Sequence, residues 1–205
     1  MRPEGAPPEP PEDEPPDEAT AGEQKQRKRK KESGLRNAVE WVVIIGGAFL
    51  VAFVVKTFLI QAFFIPSGSM LPTLHEDDRV LVNKLSYDLH DVHRGDLVVF
   101  ERPENEAAGQ IKDLIKRVVG LPGERIEGRD GDVYIDGDLL EEPYLADGAE
   151  TTGLEPQTVP EGHVFVMGDN RGDSMDSRVF HAINEDLIVG RAFVRVWPLP
   201  DLSLL

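Results

Sequence analysis

The sequence contains no cysteine. That excludes a disulfide scaffold, a thiolate nucleophile and any zinc or iron–sulfur site built on thiolates. Positive charge is also scarce: 22 Lys and Arg stand against 38 Asp and Glu, a formal charge of −16 over 205 residues. Phosphate contacts need a basic surface, so no nucleic-acid partner is expected. There is no internal repeat, and no long amphipathic helical pattern follows Ile65. The length suits one domain with appendages.

The charge is unevenly spread. Residues 1–24 hold eight acids, one Arg and seven Pro, with no large apolar side chain after Met1. Such a stretch cannot bury enough surface to offset chain entropy, so disorder is expected. Residues 25–31 (KQRKRKK) hold six bases, and residues 61–205 carry −15.

Trp41 to Ile60 (WVVIIGGAFLVAFVVKTFLI) is a 20-residue run with one charge, Lys56. At about 1.5 Å per residue, a helix of that length covers the ~30 Å of a bilayer core. The run is too long for the apolar part of a cleavable signal peptide, and no A-x-A site follows it. Lys56 lies one turn from the outer end, where its stem can carry the ammonium to the interface. Seven bases (Lys25, Arg27, Lys28, Arg29, Lys30, Lys31 and Arg36) precede the run. Residues 61–78 contain no Lys or Arg and include Glu76, Asp77 and Asp78. The positive-inside rule then puts the N-terminus in the cytoplasm and the rest outside. The expected organisation is a cytoplasmic tail over 1–36, a single-pass transmembrane helix over 37–62 and an extracytoplasmic domain over 63–205, with the lipid bilayer as a partner.

Pro66 should end the helix at about Ile65. Beyond it, strand-like segments recur between turn signals: Arg79–Asn83, Asp96–Glu101, Leu114–Val119, Asp132–Ile135, His163–Met167 and Gly190–Trp197. Asp136-Gly137 is a hairpin signal. The expected fold is mainly β, a closed or folded antiparallel sheet, with residues 143–162 as a polar excursion and one helical turn near Glu185–Ile188.

Three clusters carry potential chemistry. Ser67 and Ser69 occur in IPSGSMLPTL, where Gly68 gives the backbone freedom to present a hydroxyl; an ordinary Pro/Ser/Gly turn is the alternative. A serine nucleophile needs a base. None of the five histidines sits in a constrained motif, which leaves lysine. In DLIKRVVGLPG, period two sets Lys116 on a strand face with Leu114 and Val118. Apolar neighbours there would disfavour the ammonium and make the amine a general base, unless the side chain snorkels to water. The third cluster is GDNRGDSMDSR, residues 168–178. Its spacing does not fit a calcium loop and two arginines would oppose a dication, so no metal is expected. Ser174, Asp176 and Arg178 read as an orienting hydroxyl and an ion pair that fixes a loop.

In this order the motifs are specific. The chain resembles the bacterial type I signal peptidases, membrane-bound serine proteases, through its N-terminal span, PSGSMLPTL (66–74), RGDLVVF (94–100), KRVVGLPGE (116–124) and GDNRGDSMDSR (168–178). The resemblance covers Phe63 to about Trp197; Gly172 and Asp173 depart from the family pattern. It implies the family's β-rich catalytic core and a Ser–Lys mechanism without metal or cofactor. Ser69 would be the nucleophile and Lys116 the general base. Ser67 and the Ser69 amide would form the oxyanion hole, Ser174 would orient the lysine, and Asp176 with Arg178 would support it. Phe63, Ile65, Met70, Leu74 and Ile115 would line shallow apolar pockets. The implied substrates are signal-peptide-bearing preproteins at the membrane surface, paired as an extended strand. Ser69 is four residue steps beyond Ile65, so the nucleophile would lie within ~14 Å of chain from the helix end. Two rival readings are a self-cleaving repressor, which would lack the span, and a membrane-anchored β domain that only binds.

Overall fold

The structure, a computed structural model, describes residues 40–53, 55–103 and 112–205. The tail expected over 1–36 lies outside the described residues. Helix α1 occupies residues 40–53, with its described side chains exposed. It is followed by a π-helical turn, Val55–Leu59, and then by strand β1, Ile60–Phe64. Among the described residues no helix is long and apolar enough to cross a membrane. The expectation of helix up to about Ile65 is corrected by strand β1. Residues 60–64 (IQAFF) instead pair antiparallel with β2, Arg79–Asn83, Ile60 opposite Asn83 and Phe64 opposite Arg79. β-branched and aromatic side chains suit a pleated surface, and the pairing satisfies backbone groups that the helix would otherwise have bonded.

The fold is mainly β and antiparallel. After β2 come a helical turn α2 (Ser86–Leu89), β3 (Leu97–Glu101), β4 (Asp113–Gly120), β5 (Arg125–Arg129), β6 (Asp132–Ile135), β7 (Asp138–Leu139), β8 (Gln157–Thr158) and β9 (His163–Met167). A second helical turn α3 (Ser177–Phe180), β10 (Ile183–Asn184), β11 (Ile188–Trp197) and β12 (Ser203–Leu204) complete the chain. The larger sheet runs β1-β2-β11-β3-β4-β9-β10, with β12 added on β11; the smaller runs β7-β6-β5-β8. Asp136 and Gly137 both take positive φ, 52° and 95°, as the tight turn between β6 and β7 requires. The helical turn expected near Glu185 is a single 3-10 turn, Glu185–Leu187.

Strand β3 is buried on both faces, and that places the core. Leu97 and Val99 pack with Ile65, Met70, Leu74, Val80, Val82 and Ile115. Val98 and Phe100 pack oppositely with Val118, Val164, Val166, Phe180 and Ile183. A third cluster joins Val119, Ile126, Val133, Phe165 and Met167, tying the small sheet to the large one. Each large apolar side chain so buried contributes roughly 1.5–3 kcal/mol. Strand β4 feeds all three clusters, so any polar side chain on it is held by a rigid scaffold.

Candidate active site

The chain leaving β1 enters a tight turn. Ile65 N–H donates to the Asp78 carbonyl and Asp77 N–H donates to the Ile65 carbonyl, both at 2.9 Å. Gly68–Met70 then forms one 3-10 turn. Met70 and Leu74 are fully buried and pull the turn onto the core. Both belong to the core cluster that also holds Ile65 and Ile115, directly beneath the adjoining cleft. Ser69, beside Met70, is half-buried and lines the cleft.

Lys116 lies in β4 opposite Val98, on the face that carries Leu114 and Val118, and is 3% exposed. Its Nζ donates to Ser69 Oγ at 2.6 Å across 47 residues of sequence. Ser67 Oγ stands 3.5 Å from Ser69 Oγ. Phe63, Ile65, Ser67, Ser69, Ile115 and Lys116 line one small cleft of about 40 Å³. A hydroxyl and a buried amine at this distance can pass a proton between them, which is the geometry that activates an alcohol as a nucleophile.

The 168–178 segment braces this pair from behind. Gly168 is required: a Cβ there would stand 2.2 Å from Ser174 Oγ and 2.5 Å from the Ser69 carbonyl oxygen. Ser174 thus packs against the glycine that backs the Gly68–Met70 turn. Its Oγ is close enough to Asp176 to favour that carboxylate's charge, yet it completes no well-formed hydrogen bond among the described residues. Asp176 accepts from Arg178 Nε and Nη2, both at 2.8 Å, and from Gly168 N–H at 3.0 Å. Burial alone would raise the Asp176 carboxyl, but the arginine and the backbone donor outweigh it and hold the group below the usual carboxylate range.

Several members of this brace were not singled out from sequence. Arg117, next to Lys116, donates from Nε and Nη2 to Asp169 at 2.8 and 2.7 Å, and Thr73 Oγ1 donates to the same carboxylate at 2.5 Å. The Arg117 guanidinium lies 3.9 Å from the Tyr144 ring centroid. Arg171 forks onto Glu142 at 2.9 and 2.7 Å and donates to Thr151 at 2.7 Å. Asn170, between the two anchored residues, reaches back to the carbonyls of Gly68 and Ser69. The available signal was polar side chains inside apolar strand context, as Arg117 is within β4. Asp169 and Asp176 each face an arginine, which leaves neither carboxylate free for a cation.

Comparison with known proteins decides the family. The family model described as "Signal peptidase, peptidase S26" matches residues 38–197. The chain belongs to the signal peptidase family. It is accordingly a protease, a serine hydrolase of a family that cleaves signal peptides. Among curated relatives of this signal peptidase, a probable signal peptidase I-2 of Synechocystis is 38% identical over 183 residues, covering 88% of this chain and 84% of its own. Signal peptidase IB of Staphylococcus aureus is 34% identical over 185 residues, covering 82% and 94%. A crystal structure of a signal peptidase I from Enterococcus faecalis shares 32% identity and matches 50% of this chain and 97% of its own, with a TM-score of 0.41.

Proposed function

We propose that this signal peptidase cleaves preproteins with Ser69 as nucleophile and Lys116 as general base. The observation that carries the reading is the 2.6 Å approach of Lys116 Nζ to Ser69 Oγ with the amine 3% exposed. Surroundings that exclude water disfavour the ammonium and favour the neutral amine. The neutral amine takes the hydroxyl proton as Oγ attacks the carbonyl carbon at the signal peptide's end. The carbonyl π electrons move to oxygen, where Ser67 Oγ–H and the Ser69 N–H donate to the oxyanion. Collapse breaks the C–N bond, and Lys116 gives its proton to the departing amine. Water then attacks the acyl ester with Lys116 again as base, releasing the signal peptide and restoring Ser69. Ser174 packs behind the turn as a supporting hydroxyl, and the Asp176–Arg178 pair fixes its loop.

Backbone edges support a substrate bound as an extended strand. β1 ends the larger sheet, and residues 113–116 of β4 pair with β3 but lie outside the register with β9. Phe63, Ile65 and Ile115 line the cleft between these edges, and their apolar surface suits the small side chains of an A-x-A site.

Anchoring in a bilayer is part of the same proposal. The run from Trp41 to Ile60 has one charge, and the large apolar side chains of α1 are exposed, Trp41 at 65% and Phe49 at 72%. Such surface is costly in water and suits lipid. The bases before the run and acids after it favour a cytoplasmic N-terminus and an extracytoplasmic catalytic domain.

The test is cleavage of one precursor by the wild type and by Ser69→Ala. The wild type should release the mature chain at its A-x-A site, and the folded variant should not. A folded wild type that binds the precursor without cutting it would favour the binding-module reading.

A further inference from the structure

Two carbonyl groups of the nucleophile turn are captured by one residue. Asn170 donates its side-chain amide to the Gly68 carbonyl at 3.0 Å and its backbone N–H to the Ser69 carbonyl at 3.1 Å. A carbonyl oxygen can only accept, so the group facing it is the amide NH₂. The Gly68 carbonyl also accepts from Leu71 N–H at 3.2 Å, the closing bond of a turn three residues long. One such bond holds a short turn weakly. Asn170 supplies the second.

The peptide joining Gly68 to Ser69 is a planar trans unit, so its C=O and N–H point in opposite directions. Fixing the Gly68 carbonyl against Asn170 therefore turns the Ser69 N–H away from Asn170. The cleft that holds Ser69 and Lys116 is not lined by Asn170, which belongs to a separate cavity with Leu71, Pro72 and Gly172. The two hydrogen-bonding ends of one peptide thus serve opposite sides of the turn.

We infer that Asn170 is a positioning residue that aims the Ser69 amide at the oxyanion. This rests on the reading of Ser69 as nucleophile with its own N–H as an oxyanion donor. Asn170 is suited to the task because its neighbours are immobilised. Asp169 is 1% exposed and held by Arg117 and Thr73; Arg171 is 2% exposed and held by Glu142 and Thr151. Donors fixed before the reaction need no reorganisation when charge develops.

The experiment compares the wild type with Asn170→Ala and Asn170→Asp. The second variant keeps the size and the backbone N–H but loses the side-chain donor. The probe is a peptide aldehyde with a small terminal residue; its adduct with a serine hydroxyl places an oxyanion where the transition state does. Losing one oxyanion donor costs about 10²–10³-fold in kcat. Both variants should therefore lose about 10- to 100-fold in kcat/KM, mainly through kcat. Aldehyde affinity should fall by the same factor. Precursor binding, measured in a Ser69→Ala background, should stay within about two-fold, and the pH profile should not shift.

Equal weakening of aldehyde and precursor, or kcat/KM within about two-fold of wild type, would overturn the role of Asn170. Cleavage by Ser69→Ala, or a wild type that the aldehyde does not inhibit, would overturn the Ser69 assignment beneath it. The two failures are separable because the second appears without any change at residue 170.

Discussion

Arg117 and Asp169 form a two-point ion pair, 2.8 and 2.7 Å, between the neighbour of Lys116 in β4 and the neighbour of Asn170 in the bracing loop. One contact thereby couples the strand that carries the amine to the loop that holds the serine turn. The pair is buried on both sides, Asp169 at 1% and Arg117 at 9% exposure. Removing one partner leaves an uncompensated charge in the interior, which costs about 3–5 kcal/mol. Asp169→Ala should lose that much stability in urea denaturation and lose activity with it. A loss below about 1 kcal/mol, the range of an exposed pair, would show that the brace is dispensable.

Gly168→Ala tests the tightness of the same brace. The new methyl would meet the Ser69 carbonyl oxygen at 2.5 Å and Ser174 Oγ at 2.2 Å, so backbone must move. Overpacking of this kind costs roughly 1–3 kcal/mol. The variant should fold with a lowered denaturation midpoint and cleave far more slowly, because the displaced atom belongs to Ser69, the proposed nucleophile. Full activity would mean that the turn tolerates movement.

The fold was legible where apolar alternation is bounded by turn residues. Strands β2, β6 and β9 occupy the expected residues, since RVLVN, DVYI and HVFVM each lie between such signals. The sequence points to helix over β1 because IQAFF follows directly on the long apolar run and no helix breaker precedes Pro66; its strand identity comes from pairing with residues near position 80. β5 (RIEGR) carries three charges and a glycine, a weak strand pattern; pairing with β6 on one side and β8 on the other makes it a strand. Ser69 and Lys116 could be singled out because nucleophilic chemistry limits the residue types that can perform it. The contacts of Arg117 with Asp169 and Asn170 with Gly68 bridge 52 and 102 residues. Such partnerships come from topology, and single-sequence periodicity carries no trace of them.

Asp176 predicts a pH effect on stability. Its folded carboxyl lies below the ordinary range, so folding favours the ionised form. The resulting stabilisation is fully present above the unfolded value of ~3.9 and disappears as pH falls through the lower folded value. Asp176→Asn should therefore be less stable than wild type at pH 7, with the gap narrowing as the solution is acidified below pH ~4. Urea midpoints across that window measure it. A gap that stays constant would mean that the Arg178 pair contributes nothing through charge.

The proposed topology rests on the flanking charges. Protease added to intact cells should digest the chain beyond residue 60 and spare a tag at Met1. Protection of the catalytic domain would reverse the proposed orientation.

The most direct test of the Ser–Lys account is the pH dependence of kcat/KM for precursor cleavage, measured for the wild type and for Lys116→Met. An ordinary lysine titrates near ~10.4 and would be almost wholly charged at neutral pH, so a lysine base requires its proton to be gone. The wild-type rate should climb with pH as Lys116 deprotonates and then level off. Lys116→Met should be inactive at every pH while melting no lower than wild type, because methionine keeps most of the volume and removes a buried amine. A Lys116→Met enzyme that still cleaves, or a wild-type rate that does not depend on pH, would contradict the account.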